Sequence, residues 1–290
     1  MGNRIISGIL WFIAWTPFFL LYRLSDIMWF FVYVVFRYRR KVVAENLKNS
    51  FPEKSEKERR KIARRFYRNL CDVAVEIIKN RHICRSQLLK RIQYENLEIL
   101  DQLHAQNRSA FGICSHCGNW EWLAMNLDLH VKHEVYAVVK PLSSDYFEHY
   151  MNHKLRGHFT QDRTIPFKQT LRALVKNSKK LTITMLASDQ TPARDEIEYY
   201  TTFLNQDTAV FLGAEKMAVK MNLPLVFFDV QRIRRGRYHC TLSIIVDQPK
   251  DTKEFEVTNA HVRKLEECIR AHPDNWMWSH KRWKHKRVIG

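Results

Sequence analysis

Residues 5–22 (IISGILWFIAWTPFFLLY) carry no charge. As a helix they would be about 27 Å long, close to a bilayer core of about 30 Å. Pro17 lies inside this run and predicts a kink of the kind membrane helices tolerate. Arg23 to Asp26 interrupt it, and residues 27–36 (IMWFFVYVVF) are again apolar but too short to cross, which predicts an interfacial segment. The basic run Arg37-Tyr38-Arg39-Arg40-Lys41 follows, so the positive-inside rule expects the bulk of the chain on the cytoplasmic side. No small-residue cleavage site follows Leu20-Leu21-Tyr22, which argues for an uncleaved anchor, single-pass or monotopic.

Beyond the anchor the period of the apolar positions changes. Residues 46–79 carry a helical stripe through Ile62, Phe66, Leu70, Val73, Val75 and Ile77, with Ser55-Glu56-Lys57-Glu58 as a capping box after Phe51-Pro52. Residues 81–96 look like a basic connector. From Leu97 onward helical and strand-like patterns alternate. Helices are predicted over 97–106, 120–129, 146–158, 168–177, 211–221 and 255–271. Strands are predicted up to Cys114 and over 134–140, 181–188, 223–230 and 238–246, the last two joined by a basic turn from Arg232 to Arg237. This order predicts an α/β fold, a mixed sheet flanked by helices, with an N-terminal membrane-anchoring helix. Residues 1–36 form the anchor and 37–290 one domain, since neither a repeat nor a Gly/Ser/Pro linker divides them.

Charge adds a class of partner. Lys+Arg number 48 against 30 Asp+Glu, a net +18, which suits nucleic acid, anionic lipid headgroups or an acidic carrier protein. Nucleic acid fits least, because the aromatics sit in apolar runs and no RNA- or DNA-binding motif appears. The six cysteines have no disulfide-framework spacing and read as reduced thiols. Cys114 and Cys117 form a C-x-x-C around His116, but zinc would need a second ligand pair, so no metal is expected.

His116 is the residue most suggestive of chemistry. It stands at a strand-to-helix junction, and Glu121 falls in the first turn of the helix. A carboxylate folded back across such a corner would fix the imidazole tautomer and stabilise its cation, as a general base requires. A structural histidine beside an unrelated helix-terminal Glu has the same spacing. Ligands of open α/β sheets bind beyond the strand ends. The candidate ends are His116 to Glu121, Lys140-Pro141, Ser188-Asp189-Gln190, and Asp229 with the Arg232 to Arg237 cluster. No phosphate loop, dinucleotide fingerprint or G-x-S-x-G elbow occurs, which disfavours NTP, dinucleotide and serine-hydrolase chemistry. With only 8 glycines, anions must be met by Arg and Lys side chains.

The string His116-Cys117-Gly118-Asn119-Trp120-Glu121-Trp122 resembles the H-x-x-x-x-D/E motif of the lysophospholipid acyltransferase superfamily, and in full the bacterial lipid A late acyltransferases, the lauroyl- and myristoyl-transferase type. The resemblance covers nearly the whole chain, including Tyr38 to Leu47, Phe66 to Leu70, Val139-Lys140-Pro141, Asp189-Gln190, Phe211 to Ala218 and the Trp276 to Lys284 tail. It implies transfer of a fatty acyl group from an acyl-carrier-protein thioester to a hydroxyl of a lipid A precursor at the bacterial inner membrane. No cofactor is implied beyond that co-substrate, and the partners are the acidic carrier, the precursor and membrane phospholipids. His116 would be the base and Glu121 its orienter. Backbone N–H groups near Gly118 and Asn119 would meet the oxyanion, and Asn119, Asp189 and Gln190 would contact substrate. Lys140, Arg163 and the Arg232 to Arg237 cluster would meet anions. Trp120, Trp122, Phe111 and Met185 are candidates for the walls of an acyl slot. Lys140 stands where Arg-Pro is common, keeping a cation but losing the bidentate fork. A lysophospholipid or aminolipid acceptor, with acyl-CoA or carrier as donor, is the second reading. A basic membrane scaffold would leave the His116 motif idle.

Overall fold

In the computed structural model, residues 2–156, 163–285 and 287 are described. In chain order the elements are α1 (Gly2–Trp15), α2 (Phe18–Trp29), α3 (Arg40–Ser50), α4 (Glu56–Lys79), α5 (Arg85–Leu89), β1 (Ile92–Glu95), α6 (Glu98–Ala105), β2 (Ala110–Cys114), α7 (Trp120–Leu127) and β3 (Glu134–Val139). Then come α8 (Asp145–His149), β4 (Thr164–Pro166), α9 (Thr170–Lys176), β5 (Thr182–Ala187), β6 (Tyr199–Phe203), β7 (Gln206–Val210), α10 (Gly213–Met221), β8 (Leu225–Arg234), β9 (Arg237–Val246) and α11 (Glu256–Ala271).

Seven strands form one mixed sheet in the order β1-β9-β8-β2-β5-β3-β4. Strands β8, β2, β5, β3 and β4 run parallel, while the antiparallel β8–β9 hairpin reverses β9 and β1. β2 lies between β8 and β5 and is buried along its whole length. That is why Ala110 to Cys114 form a continuous apolar run instead of an alternating one. Phe111 and Ile113 face one core with Leu186, Phe227 and Val257; Ala110 and Cys114 face the other with Trp122, Met185 and Phe228. Between them Gly112 leaves room for the Met185 sulfur and the Phe228 ring, where a Cβ would collide.

Several elements depart from the expected boundaries. The predicted 46–79 helix is two helices, broken at Phe51-Pro52, and Ser55 and Glu58 close a reciprocal capping box at the start of α4. The basic connector contains α5 and the edge strand β1, too short to show a period. The hairpin β6–β7 and strand β4 were not predicted. Arg232 to Arg234 belong to strand β8, so the turn shrinks to Arg235 and Gly236, the latter at φ +69°. The helix predicted over 146–158 starts with α8 and continues as a wider π-turn to Arg156; its last two residues lie outside the described ones.

The N-terminal reading also needs correction. The helix breaks at Thr16-Pro17, so α1 ends at Trp15 and residues 5–22 are not one span. The missing N–H of Pro17 ends α1 there, and the proline then opens the next helix. That second helix continues through a π-turn, and Phe18–Val35 is long and apolar enough to cross a membrane, with a mean hydropathy of 1.6. One face of this segment is tied to α4 and the β8–β9 turn. Tyr22 donates to Glu76 (2.8 Å) and Ser25 to Asp72 (2.6 Å), while Arg235 donates to Asp26 (2.5 Å). Lys79 of α4 reaches the carbonyls of Ala14 and Thr16 at 2.8 and 2.9 Å and so satisfies the open end of α1. The other face leaves Phe12, Phe19, Ile27 and Phe36 exposed.

Candidate active site

The parallel pairing of β2 with β5 sets the site. Cys114 stands opposite Ala187, so two residues further on His116 and Asp189 leave neighbouring strands side by side. His116 Nδ1 lies 2.7 Å from Asp189 Oδ1, and the His116 backbone N–H donates to Asp189 Oδ2 at 3.1 Å. Trp276 Nε1 donates to the same oxygen at 2.7 Å. Asp189 is buried, and burial alone would favour its protonation. The His116 charge and the three donors outweigh that and hold the carboxyl down to about 2. Burial likewise favours a neutral His116 ring, but Asp189 wins and raises its pKa above the ordinary value. An ionised Asp189 selects the tautomer with the proton on Nδ1, leaving the Nε2 lone pair for another donor. The Gln190 amide nitrogen lies 3.2 Å from Nε2 and fills that role here.

Glu121 is close by but does not hold the ring. Its two oxygens accept from Arg156 Nη2 and Nε at 2.6 and 2.7 Å, a bidentate pair that is largely buried. The expected His116–Glu121 contact is therefore corrected: Asp189, contributed by the neighbouring strand, is the carboxylate on the imidazole. Arg156 claims both Glu121 oxygens, whereas Asp189 leaves the neighbouring strand in register with His116 and meets the ring directly.

Asn119 is fully buried and serves the backbone. Its Oδ1 accepts the Trp122 N–H at 2.9 Å as the N-cap of α7, and its Nδ2 donates to Glu76 at 2.8 Å. This corrects its expected contact with substrate. The Gly118 N–H is engaged by the Asn275 carbonyl at 3.2 Å, so it is not a donor facing the site. Gly118 has φ +57°, and a Cβ there would meet Val230 and Tyr238, so the loop after His116 admits no side chain at this point. Arg163 pairs with Asp128 at 2.8 Å and lies away from His116. Lys140 is exposed at the end of β3, on the rim of the large cavity described next. Arg232 and Arg235 neutralise Asp72, and Arg235 also pairs with Asp26.

A cavity of about 780 Å³ opens beside His116 along the ends of β2, β3 and β5. Trp120, Leu123, Val138, Met185 and Phe211 give it apolar walls, with Glu121, Lys140 and Arg156 among the charged ones. Trp122 and Phe111 belong to the two cores instead, which corrects their expected place in an acyl slot. The Cys114 and Cys117 thiols are buried, which pushes both up and keeps them protonated. Among the described residues no group of three His, Cys, Asp or Glu gathers as metal ligands would.

The C-terminal segment closes the site from behind. Trp276 forms an isolated bridge with Cys117, Asn46 donates to the Trp278 and His280 carbonyls, and Arg282 donates to Ala209 O at 2.7 Å. Sequence reasoning misses the role of Trp276 on Asp189, a contact between residues 87 positions apart.

Compared with known proteins, the chain matches the family described as bacterial lipid A biosynthesis acyltransferase over residues 3–285. A relative, the lipid A biosynthesis lauroyltransferase of Escherichia coli (strain K12), is 22% identical over 278 residues, covering 96% of this chain and 89% of that protein. A family match spanning the apolar helices, the histidine-bearing loop and the tail together leaves a plain conclusion: this chain is an acyltransferase and belongs to the bacterial lipid A biosynthesis acyltransferase family.

Proposed function

We propose that the protein transfers a fatty acyl group from an acyl-carrier-protein thioester to a hydroxyl of a lipid A precursor, with His116 as general base. The His116–Asp189 pair at the mouth of a largely apolar cavity carries this reading. A hydroxyl is a weak nucleophile at neutral pH, so the acceptor O–H takes the place of Gln190 and gives its proton to His116 Nε2 as its oxygen attacks the thioester carbonyl. Asp189 stabilises the resulting imidazolium. The tetrahedral oxyanion meets the Arg156 guanidinium, which Glu121 orients on the cavity wall. Collapse breaks the C–S bond, and the departing thiolate recovers the proton from His116. The acyl chain lies along Trp120, Leu123 and Met185, and the exposed Lys140 meets the acidic carrier.

The test is transfer by the purified protein from labelled acyl-carrier thioesters, offered a tetra-acylated lipid A precursor beside lysophosphatidic acid. Product on the lipid A precursor is expected. Product only on lysophosphatidic acid would overturn the acceptor.

The same reading places the N-terminal helices flat on the inner membrane, with the domain on the cytoplasmic side. A helix that crossed the bilayer along Phe18–Val35 would carry α4 in with it, because Arg64 and Arg68 lie over the Trp29 ring at 5.3 and 4.8 Å. Each such charge at mid-bilayer costs about 2.5–3.5 kcal/mol. Lying in the interface, the segment sinks Phe12, Phe19, Ile27 and Phe36 into lipid and keeps those arginines at headgroup level. Phe12→Asp/Phe19→Asp should lower co-sedimentation with anionic phospholipid vesicles at least tenfold and leave the circular dichroism unchanged. Alkaline carbonate should release the wild type, and resistance to that wash would refute interfacial seating.

A further inference from the structure

We infer that the phosphorylated headgroup of the acceptor lipid docks in an arginine-lined cleft between α4 and the β8–β9 turn. It would reach His116 from the side opposite the acyl cavity. The inference rests on the acceptor class proposed above and assigns it a site.

The cleft holds about 640 Å³, the size of a site for a sugar phosphate rather than a protein surface. Five arginines, Arg65, Arg68, Arg232, Arg234 and Arg235, line it against Asp26, Asp72 and Asp274, a local excess of two positive charges. Arg232 and Arg235 spend their charge on Asp72 and Asp26. Arg65, Arg68 and Arg234 are exposed, and none has a carboxylate within ion-pair distance among the described residues. Three guanidinium groups facing one concavity suit phosphate oxygens, which they can bind in bidentate fashion.

Two further observations connect this cleft to lipid and to the base. Trp29 and Phe30 of the apolar N-terminal segment form one of its walls, so an occupant has its charge on arginine and its tails beside the exposed apolar face. A narrow seam then runs from the cleft to His116. Asn69, Arg232 and Asn275 line both the cleft and the seam, while His116 and Trp120 line both the seam and the large cavity. The seam holds about 20 Å³ here, room for one water-sized group, with Leu70 and Met277 in its lining. Within this stretch the buried Oδ1 of Asn275 has no hydrogen-bond donor among the described residues, while its Nδ2 is held by the Val230 carbonyl at 2.7 Å. That orphan acceptor is placed to receive a hydroxyl on its way to His116. The two substrates would thus meet at His116 from separate chambers.

The experiment compares full-length wild type with Arg68→Glu/Arg234→Glu in nonionic detergent micelles, on the phosphorylated lipid A precursor and its dephosphorylated counterpart. The variant should raise KM for the phosphorylated acceptor at least tenfold and leave KM for the carrier thioester unchanged. Wild type should lose the same factor when the phosphates are removed, and Arg68→Lys/Arg234→Lys should recover part of it. Calorimetric binding of the acceptor without donor reads the cleft independently of turnover, so a wrong acceptor reaction and a wrong site give different results. Equal acceptor affinity in wild type and variant overturns the site. So does a raised carrier KM, which would assign the cleft to the acidic protein, or an equal loss on both acceptors.

Discussion

His116→Ala should lower kcat for acyl transfer by about 10²–10⁴-fold with little change in the melting temperature, the range that removal of a positioned base commonly gives. Asp189→Asn should come close to it. The asparagine retains the shape but removes the charge that selects the Nδ1–H tautomer and stabilises the imidazolium. The pH profile separates these roles. His116 acts as a base only when neutral, and Asp189 raises its pKa above the ordinary value, so activity in wild type should fall with acidification through that elevated value. Removing the carboxylate moves the acid limb to lower pH while the plateau drops. Glu121→Gln, which disturbs Arg156 instead of the ring, should lower the plateau and move the limb less. A limb that follows Glu121 and ignores Asp189 would show that the wrong carboxylate has been assigned, and undiminished activity in His116→Ala would end the mechanism.

Glu76→Leu should cost about 3–5 kcal/mol of stability, because several neutral donors lose their shared acceptor at about 1–3 kcal/mol each. Glu76 is fully buried on α4. It accepts from Tyr22 at 2.8 Å, from Asn119 at 2.8 Å and from Tyr238 at 2.7 Å, so leucine leaves three donors without that acceptor, two of them fully buried. These donors come from α2, from the N-cap of α7 and from β9, so the loss should also loosen the loop that carries His116. A drop in melting temperature on the order of 10 °C is expected, with Glu76→Gln falling less. Burial raises the Glu76 carboxyl above its ordinary value despite the three donors. A group raised in the fold contributes its stability below the unfolded pKa and loses it as pH rises through the folded one. Glu76→Gln should therefore remove that decline from the stability profile. Wild-type melting in Glu76→Leu would mean that the donors find other acceptors.

The local signals in this chain reached a long way. Periodicity located β2, β3, β5 and α11, and the Ser55–Glu58 pattern marked the start of α4, because strand alternation, helix stripes and caps are properties of neighbouring residues. The HCGNWEW string pointed to the histidine and to the family. What escaped was whatever depends on residues distant in sequence. β1 and β4 are short edge strands whose existence rests on partners, not on their own composition. The partner of His116 lies 73 positions away and is chosen by the β2–β5 register, so Glu121 looked nearer than it is in space. Asn119 looked like a donor for the site until burial beside Glu76 gave both ends of its amide other work. Arg232 and Arg235 belonged to one basic cluster in the sequence, but the buried Asp72 claims both, and the proposed anion site draws on Arg65 and Arg68 from another helix. Sequence by itself determined the central strands, the longer helices and the candidate histidine, because those follow from local stereochemistry and residue type. Only the tertiary structure decided which carboxylate orients that histidine and which arginines remain available, because pairing is settled by strand register and by the cost of leaving a buried charge alone.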